Sequence, residues 1–341
     1  MNEEIRPIIE ERIDPETEKR ELKRTYSRCG WVLFAFTAIG YIVPRVIDGF
    51  VADAGDEVKS LFAEYLLIYN AILVGVSTLA AVLLLFLIPK SAPARQKIKV
   101  KEFLMYVFIA FGISWVGGMI SKFFINTVYF ISGVQLTDRV SAALGFVKPW
   151  QAILCSVIIA PFTEEFLFRK VLIDRLYKHG ELLAILTSAV FFGLFHQNVY
   201  QLVYAFGVGF LLGFVYCKTG SYLVTTALHM IFNLIGVLPV FFTNKIAQYA
   251  EMTKEEIAAL PPEVYAQYSS AMTGYILYSL VILAINIVGI IVFLINKKNF
   301  SVENNAPTLL ESDKREIVIR APGIVAAGCA MIILTFLSLF I

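Results

Sequence analysis

Nine apolar runs, each long enough or nearly long enough to cross a bilayer, leave this chain one architecture: a bundle of helices embedded in a membrane. They lie at roughly 30–51, 64–89, 102–121, 149–168, 182–197, 199–217, 221–243, 271–296 and 321–341. A spanning helix needs ~20 predominantly apolar residues. In lipid every backbone N–H and C=O must be paired inside the protein, which rules out open strands and irregular chain facing the acyl tails. Of the 341 residues 58% are hydrophobic and 16% charged, too little polar surface for a water-soluble enzyme. The expected fold class is all-α, a polytopic integral membrane helical bundle of about nine transmembrane helices. The fifth run is short, so it is expected to be packed within protein, extended by its flanks, or only partly crossing.

Charge orients the bundle. Residues 1–28, 90–101, 169–181, 218 and 297–320 fall on one side if the runs alternate, and they hold 22 of the 29 Lys and Arg. The positive-inside rule assigns that side, with the N-terminus, to the cytoplasm, and with nine spans the C-terminus to the outside. The chain is expected in the cell membrane as a multi-pass protein, with membrane lipid as its first partner. A charged stretch of nearly thirty residues precedes the first apolar run, unlike the short basic region of a cleaved signal peptide. Nothing forms a basic stripe for nucleic acid. The four cysteines are scattered with no CxxC pair and read as small apolar residues. His179 sits in a charged loop and reads as ordinary surface.

The polar content of the apolar runs is concentrated in Ala160-Pro161-Phe162-Thr163-Glu164-Glu165-Phe166-Leu167-Phe168-Arg169. Charge at that depth costs at least ~2.5–3.5 kcal/mol per group on insertion scales, so two acids there need a use. Glu165 and Arg169 are four apart on one helix face and can pair. Glu164 is rotated by about 100° and is left without that partner. Pro161 lacks an N–H and disfavours helix at Ala160, which places a kink or break just before the acids.

Two further runs carry imidazoles. His196 ends the run 189–195, while His229 and Asn233 share one face of the run 221–243, four residues apart. A lone His in such a place is most often a hydrogen-bonding link between helices. A free carboxylate, two imidazoles and a carboxamide together supply a general base, a proton carrier and neutral donors for an oxyanion. No Ser or Cys is paired with them in a nucleophile pattern, so the simplest nucleophile is a water activated by Glu164. Zinc is the rival: Glu164, His196 and His229 would be its ligands, although HExxH is absent. No cofactor is otherwise expected.

Glu164-Glu165-x-x-x-Arg169, Phe192-x-x-x-His196 and His229-x-x-x-Asn233, in that order and all in membrane segments, resemble the signature of the CAAX-processing and bacteriocin-processing (Abi) intramembrane endopeptidases. Thr219-Gly220-Ser221 leading to His229 is similar as well. The resemblance covers roughly residues 150–236. It implies that Glu164 acts with His196 to activate water, that His229 and Asn233 stabilise the oxyanion, that Glu165 and Arg169 are a supporting ion pair, and that Phe192 packs. Lys170 departs from the pattern, where a glycine often follows the arginine. The expected domains are a charged lead-in (1–29), N-terminal transmembrane helices (30–148), a catalytic core (149–243), and a C-terminal surface segment with accessory helices (244–341).

The expected function is therefore hydrolysis of a peptide bond in a membrane-associated or lipidated peptide or protein. Only a CAAX-type member requires a prenylated cysteine, and no residue here shows that preference. The alternatives are a transporter or proton relay using the same Glu and His, and a non-catalytic bacteriocin-immunity protein on the same fold. Glu164 lies about seven residues from the cytoplasmic end of its run and His229 about eight, whereas His196 is some fourteen along its own. A site in the cytoplasmic half is expected, with part of 180–186 in the interface.

Overall fold

The computed structural model describes residues 14–134, 136, 147–302 and 309–338, and the architecture is all-helical across them. It is built from α1 (Pro15–Ala52), α2 (Asp56–Glu64), α3 (Leu66–Leu85), α4 (Val100–Ser132), α5 (Pro149–His179), α6 (Glu181–Phe195), α7 (Val199–Thr219) and α8 (Tyr222–Val237). These are followed by α9 (Val240–Ile246), α10 (Lys254–Ala258), α11 (Pro262–Asn296), α12 (Glu311–Ile319) and α13 (Pro322–Leu337). Among the described residues seven helices are long and apolar enough to cross a membrane, α8 counting together with α9; α12 and α13 form an eighth candidate bent by 63°, and α6 is a shorter apolar helix. The nine apolar runs thus map onto seven long helices, one short helix and the second limb of a bent pair.

The sequence explains the helix ends. Asp14 caps α1 through its carboxylate, which accepts the Thr17 N–H at 3.1 Å, and Pro15 supplies the preset φ of the first turn. Gly133 and Gly220 close α4 and α7 in the left-handed conformation. Gly180, at φ 130°, lets α5 turn directly into α6. Thr253 and Glu256 form a reciprocal capping box at α10, just before Pro262 opens α11.

Contacts between helix ends define two faces. At one end Ser91 N–H bonds the Asp174 carbonyl, Arg175 bonds the Leu85 carbonyl at 3.0 Å, Lys178 pairs with Glu21, and Gln96 N–H bonds the Thr219 carbonyl. This is the basic end. At the other, Lys148 pairs with Glu64, Gln151 bonds the Glu64 carbonyl, and Asn244 bonds the Val147 carbonyl at 2.9 Å. Small residues let helices touch between these ends. A Cβ on Gly289 would meet Phe108 backbone oxygen of α4 at 2.0 Å, and one on Gly323 would meet Ser27 oxygen of α1 at 1.9 Å.

Two expectations need correction. Residues 169–181 are not a cytoplasmic loop: α5 continues to His179, with Arg169, Asp174 and Arg175 buried along it. His179 is not ordinary surface but only 5% exposed, its ring 6.0 Å from that of Tyr26. The buried ammonium of Lys314 on α12 donates to the His179 carbonyl at 3.0 Å, capping the C-terminal end of α5. The α4 helix continues beyond its apolar run to Ser132, while 137–146 and 303–308 lie outside the described residues.

Candidate active site

The site grows from the irregular middle of α5. Pro161 removes one donor and crowds the carbonyl four residues earlier. The helix does not break there. It widens into a π-helical stretch at Ile153–Ile159, where Ala160 N–H bonds the Cys155 carbonyl five residues back. Six α-helical residues follow (Ala160–Glu165), and then a second π-helical stretch at Phe166–Ile173. Widened turns of this kind mark sites where a helix re-aims its side chains. The two acids sit on the short α-helical segment between them.

Glu164 and Glu165 take the separate places that their spacing implies. Glu165 is fully buried: Oε2 lies 3.1 Å from Arg169 Nε, and Oε1 lies 3.1 Å from His229 Nδ1. Arg169, also fully buried, donates to Ser188 Oγ at 3.1 Å, and Ser188 in turn donates to the Phe168 carbonyl at 3.0 Å. The guanidinium stacks 4.5 Å from the Phe192 ring centroid. The supporting pair is thus joined directly to one of the imidazoles, a link that spacing alone does not reveal. Glu164 is 9% exposed, and its Oε2 has no hydrogen-bond partner among the described residues.

The imidazoles are held from behind. His196 follows the last turn of α6, and its Nδ1 lies 2.7 Å from the Phe192 carbonyl. A carbonyl only accepts, so Nδ1 carries the proton and Nε2 is the ring's acceptor. Gln197 then takes φ 45°, a strained value for a residue with a Cβ, and Asn198 caps α7 by accepting the Tyr200 N–H. This sharp turn fixes His196 at the helix end. Phe192 lies between both imidazoles, with centroids 5.0 Å from His196 and 5.8 Å from His229. Asn233 donates from its side-chain nitrogen to the Ser156 carbonyl at 2.8 Å, leaving its second N–H for another acceptor.

Glu164, Phe192, His196, His229 and Asn233 line one cavity of about 660 Å³. Asn70 on α3, Ser114 on α4, and Gln201 and Tyr204 on α7 line it too. These four were missed from sequence; the signal was a polar residue interrupting an apolar run, weaker than a charge. Among the described residues no three His, Cys, Asp or Glu side chains converge as a metal-binding group.

The depth of the site differs from expectation. Because α5 runs to His179, Glu164 is 15 residues from each of its ends, in the middle of the span. α6 is helical from Glu181 onward, which sets His196 15 residues from that start, the same distance that separates Glu164 from His179.

Comparison with known proteins agrees with the motifs. Residues 146–235 match the family described as Type II CAAX prenyl endopeptidase Rce1-like. The "Putative membrane peptidase YdiL" of Bacillus subtilis (strain 168) is 29% identical over 113 residues, which cover 32% of this chain and 46% of that relative. The chain thus spans less than half the length of that relative. No solved structure matches the chain. Residues 146–235, which hold every motif residue described above, are thus similar to the CAAX prenyl endopeptidase family, and the similarity is confined to that part of the chain.

Proposed function

We propose that this protein is an intramembrane endopeptidase in which Glu164 and His196 activate a water for attack on a peptide carbonyl. The observation that supports this best is the gathering of Glu164, His196, His229 and Asn233, from three separate helices, around one cavity in an otherwise apolar bundle. The water's oxygen forms the new bond to the carbonyl carbon while its proton passes to Glu164. The carbonyl π electrons move to oxygen, and the anion is met by Asn233 and His229. Collapse expels the amine, which takes from Glu164 the proton that the water gave up.

The tautomers bear on these roles. His196 presents an unprotonated Nε2, suited to accept a proton. His229 already donates through Nδ1 to Glu165, so donation to an oxyanion through Nε2 requires both ring protons. In that form Glu164 and Glu165 are balanced by Arg169 and His229, a neutral set of four charges, which suits a site within a membrane. Preorganised donors of this kind account for large rate effects because they need no rearrangement as charge develops.

The substrate class that follows is a membrane-associated peptide or protein segment, since the cavity lies among the spanning helices. Prenylation is not required by any residue named here. The test is purified protein in detergent or nanodiscs against a peptide library containing lipidated and unlipidated members, with and without chelator, read by mass spectrometry. Chelator-insensitive cleavage that Glu164→Gln abolishes supports the reading. Transport of a solute with no cleavage of any peptide would favour the proton-relay alternative instead.

A further inference from the structure

A carbonyl inside a helix finds its donor four residues on in an α turn, or five residues on in a π turn. For the Ser156 carbonyl those donors would be the N–H groups of Ala160 and of residue 161. Neither reaches it. The Ala160 N–H bonds the Cys155 carbonyl instead, and residue 161 is a proline, which has no N–H. Pro161 accounts for both losses. Its ring, buried in the bundle, would clash with the Val157 carbonyl in the α register, and the stretch Ile153–Ile159 takes the wider one.

An acceptor without a partner is costly in apolar surroundings, and here the partner comes from another helix. Asn233 of α8 donates a side-chain N–H to the Ser156 carbonyl at 2.8 Å. Both residues line the cavity that holds Glu164 and His196. By contrast, the carbonyls of Ile159 and Ala160 are met from within α5, by the Thr163 hydroxyl at 2.9 and 3.0 Å. The carboxamide is planar, so anchoring one of its N–H groups fixes the direction of the other.

We infer that Pro161 is a positioning residue for Asn233. By withholding a backbone donor from Ser156 it reserves that carbonyl for the Asn233 amide, and so sets the aim of the second N–H. This rests on the peptidase reading for what that N–H does in turnover, but not for what holds it. A residue with an N–H at 161 restores a backbone donor to Ser156, from Ala160 in the α register or from residue 161 in the π register. A carbonyl oxygen can accept twice, but a backbone donor draws it along the helix axis and away from α8.

The test compares wild type, Pro161→Ala, Asn233→Ala and the double variant, each as the full chain in nanodiscs. Alanine is the best helix former, so Pro161→Ala is expected to fold. Its kcat for a cleavable membrane-associated peptide should fall ~10-fold or more, within the ~10²–10³ that losing one oxyanion donor costs, with KM unchanged. The double variant should turn over as slowly as Asn233→Ala and no slower, because both changes act through one amide. Wild-type kcat in Pro161→Ala, or losses that multiply in the double variant, would overturn the inference.

A second readout needs no turnover. With serine carbonyls labelled with carbon-13, the infrared difference between wild type and Asn233→Ala should show one band moving to higher wavenumber, as Ser156 loses its donor. The same substitution in the Pro161→Ala background should move none. An unmoved band in the first comparison, or equal movement in both, would overturn the inference. The first comparison decides it alone if Pro161→Ala does not fold. Absence of cleavage by the wild type would remove the peptidase reading and leave the infrared result standing.

Discussion

Glu165 and His229 are in direct contact, Oε1 to Nδ1 at 3.1 Å, although 64 residues separate them in sequence. The same carboxylate holds Arg169 by its other oxygen. The supporting ion pair and the proposed oxyanion site are therefore one assembly, and disturbing the pair has consequences for turnover as well as for stability.

Glu165→Ala is expected to destabilise the protein by about 3–5 kcal/mol, because it leaves the Arg169 charge buried without its partner. The double variant Glu165→Leu/Arg169→Met should recover most of that stability and none of the activity, since His229 still lacks its acceptor. Thermal unfolding in detergent and peptide turnover measured together check this. A double variant that regained both would show that Glu165 does not position His229.

Asn233→Ala is expected to lower kcat by ~10²–10³ with little change in KM, as for loss of one preorganised oxyanion donor. A rise in KM at constant kcat would assign Asn233 to substrate binding instead.

Gly209→Ala is expected to slow turnover while leaving the bundle folded. Its Cβ would stand 2.8 Å from Phe192 Cδ1, so the ring that separates the two imidazoles must move. Gly213→Ala, whose nearest neighbour is an Ile185 methyl at 3.2 Å, serves as the milder comparison. Equal turnover in both variants would remove Phe192 from any part in aligning the site.

Lys314→Met is expected to destabilise α5 at its C-terminal end by ~1.5–3 kcal/mol, the range for a hydrogen bond to a charged group. Faster hydrogen exchange confined to residues near 174–180 would be the signature. Unchanged protection there would show that the contact with the His179 carbonyl contributes nothing.

Much of this was legible in the sequence because membrane physics permits few solutions. The apolar runs gave the helices, and the scarcity of charge within them singled out Glu164, Glu165, Arg169, His196, His229 and Asn233. The i,i+4 rule found the Glu165–Arg169 pair. The course of α5 was not legible, because Arg169, Lys170, Asp174, Arg175 and Lys178 read as a polar loop. The burial of Arg169, Asp174 and Arg175 depends on long-range partners that no local pattern encodes: Ser188 for Arg169, the Tyr216 hydroxyl for the Asp174 carboxylate, and the Leu85 carbonyl for Arg175. The same omission placed the site too near the basic end. Pro161 reads as a kink or break, and the helix at that point runs on by widening rather than breaking. The contact between Glu165 and His229 depends on how α5 and α8 cross, which is a property of packing.

The most direct test of the account is turnover of a cleavable membrane-associated peptide by purified wild-type protein beside Glu164→Gln, which keeps the shape and removes the base. The account predicts cleavage by the wild type, none detectable with the variant, and the same melting temperature for both. Wild-type turnover by a fully folded Glu164→Gln protein would contradict it.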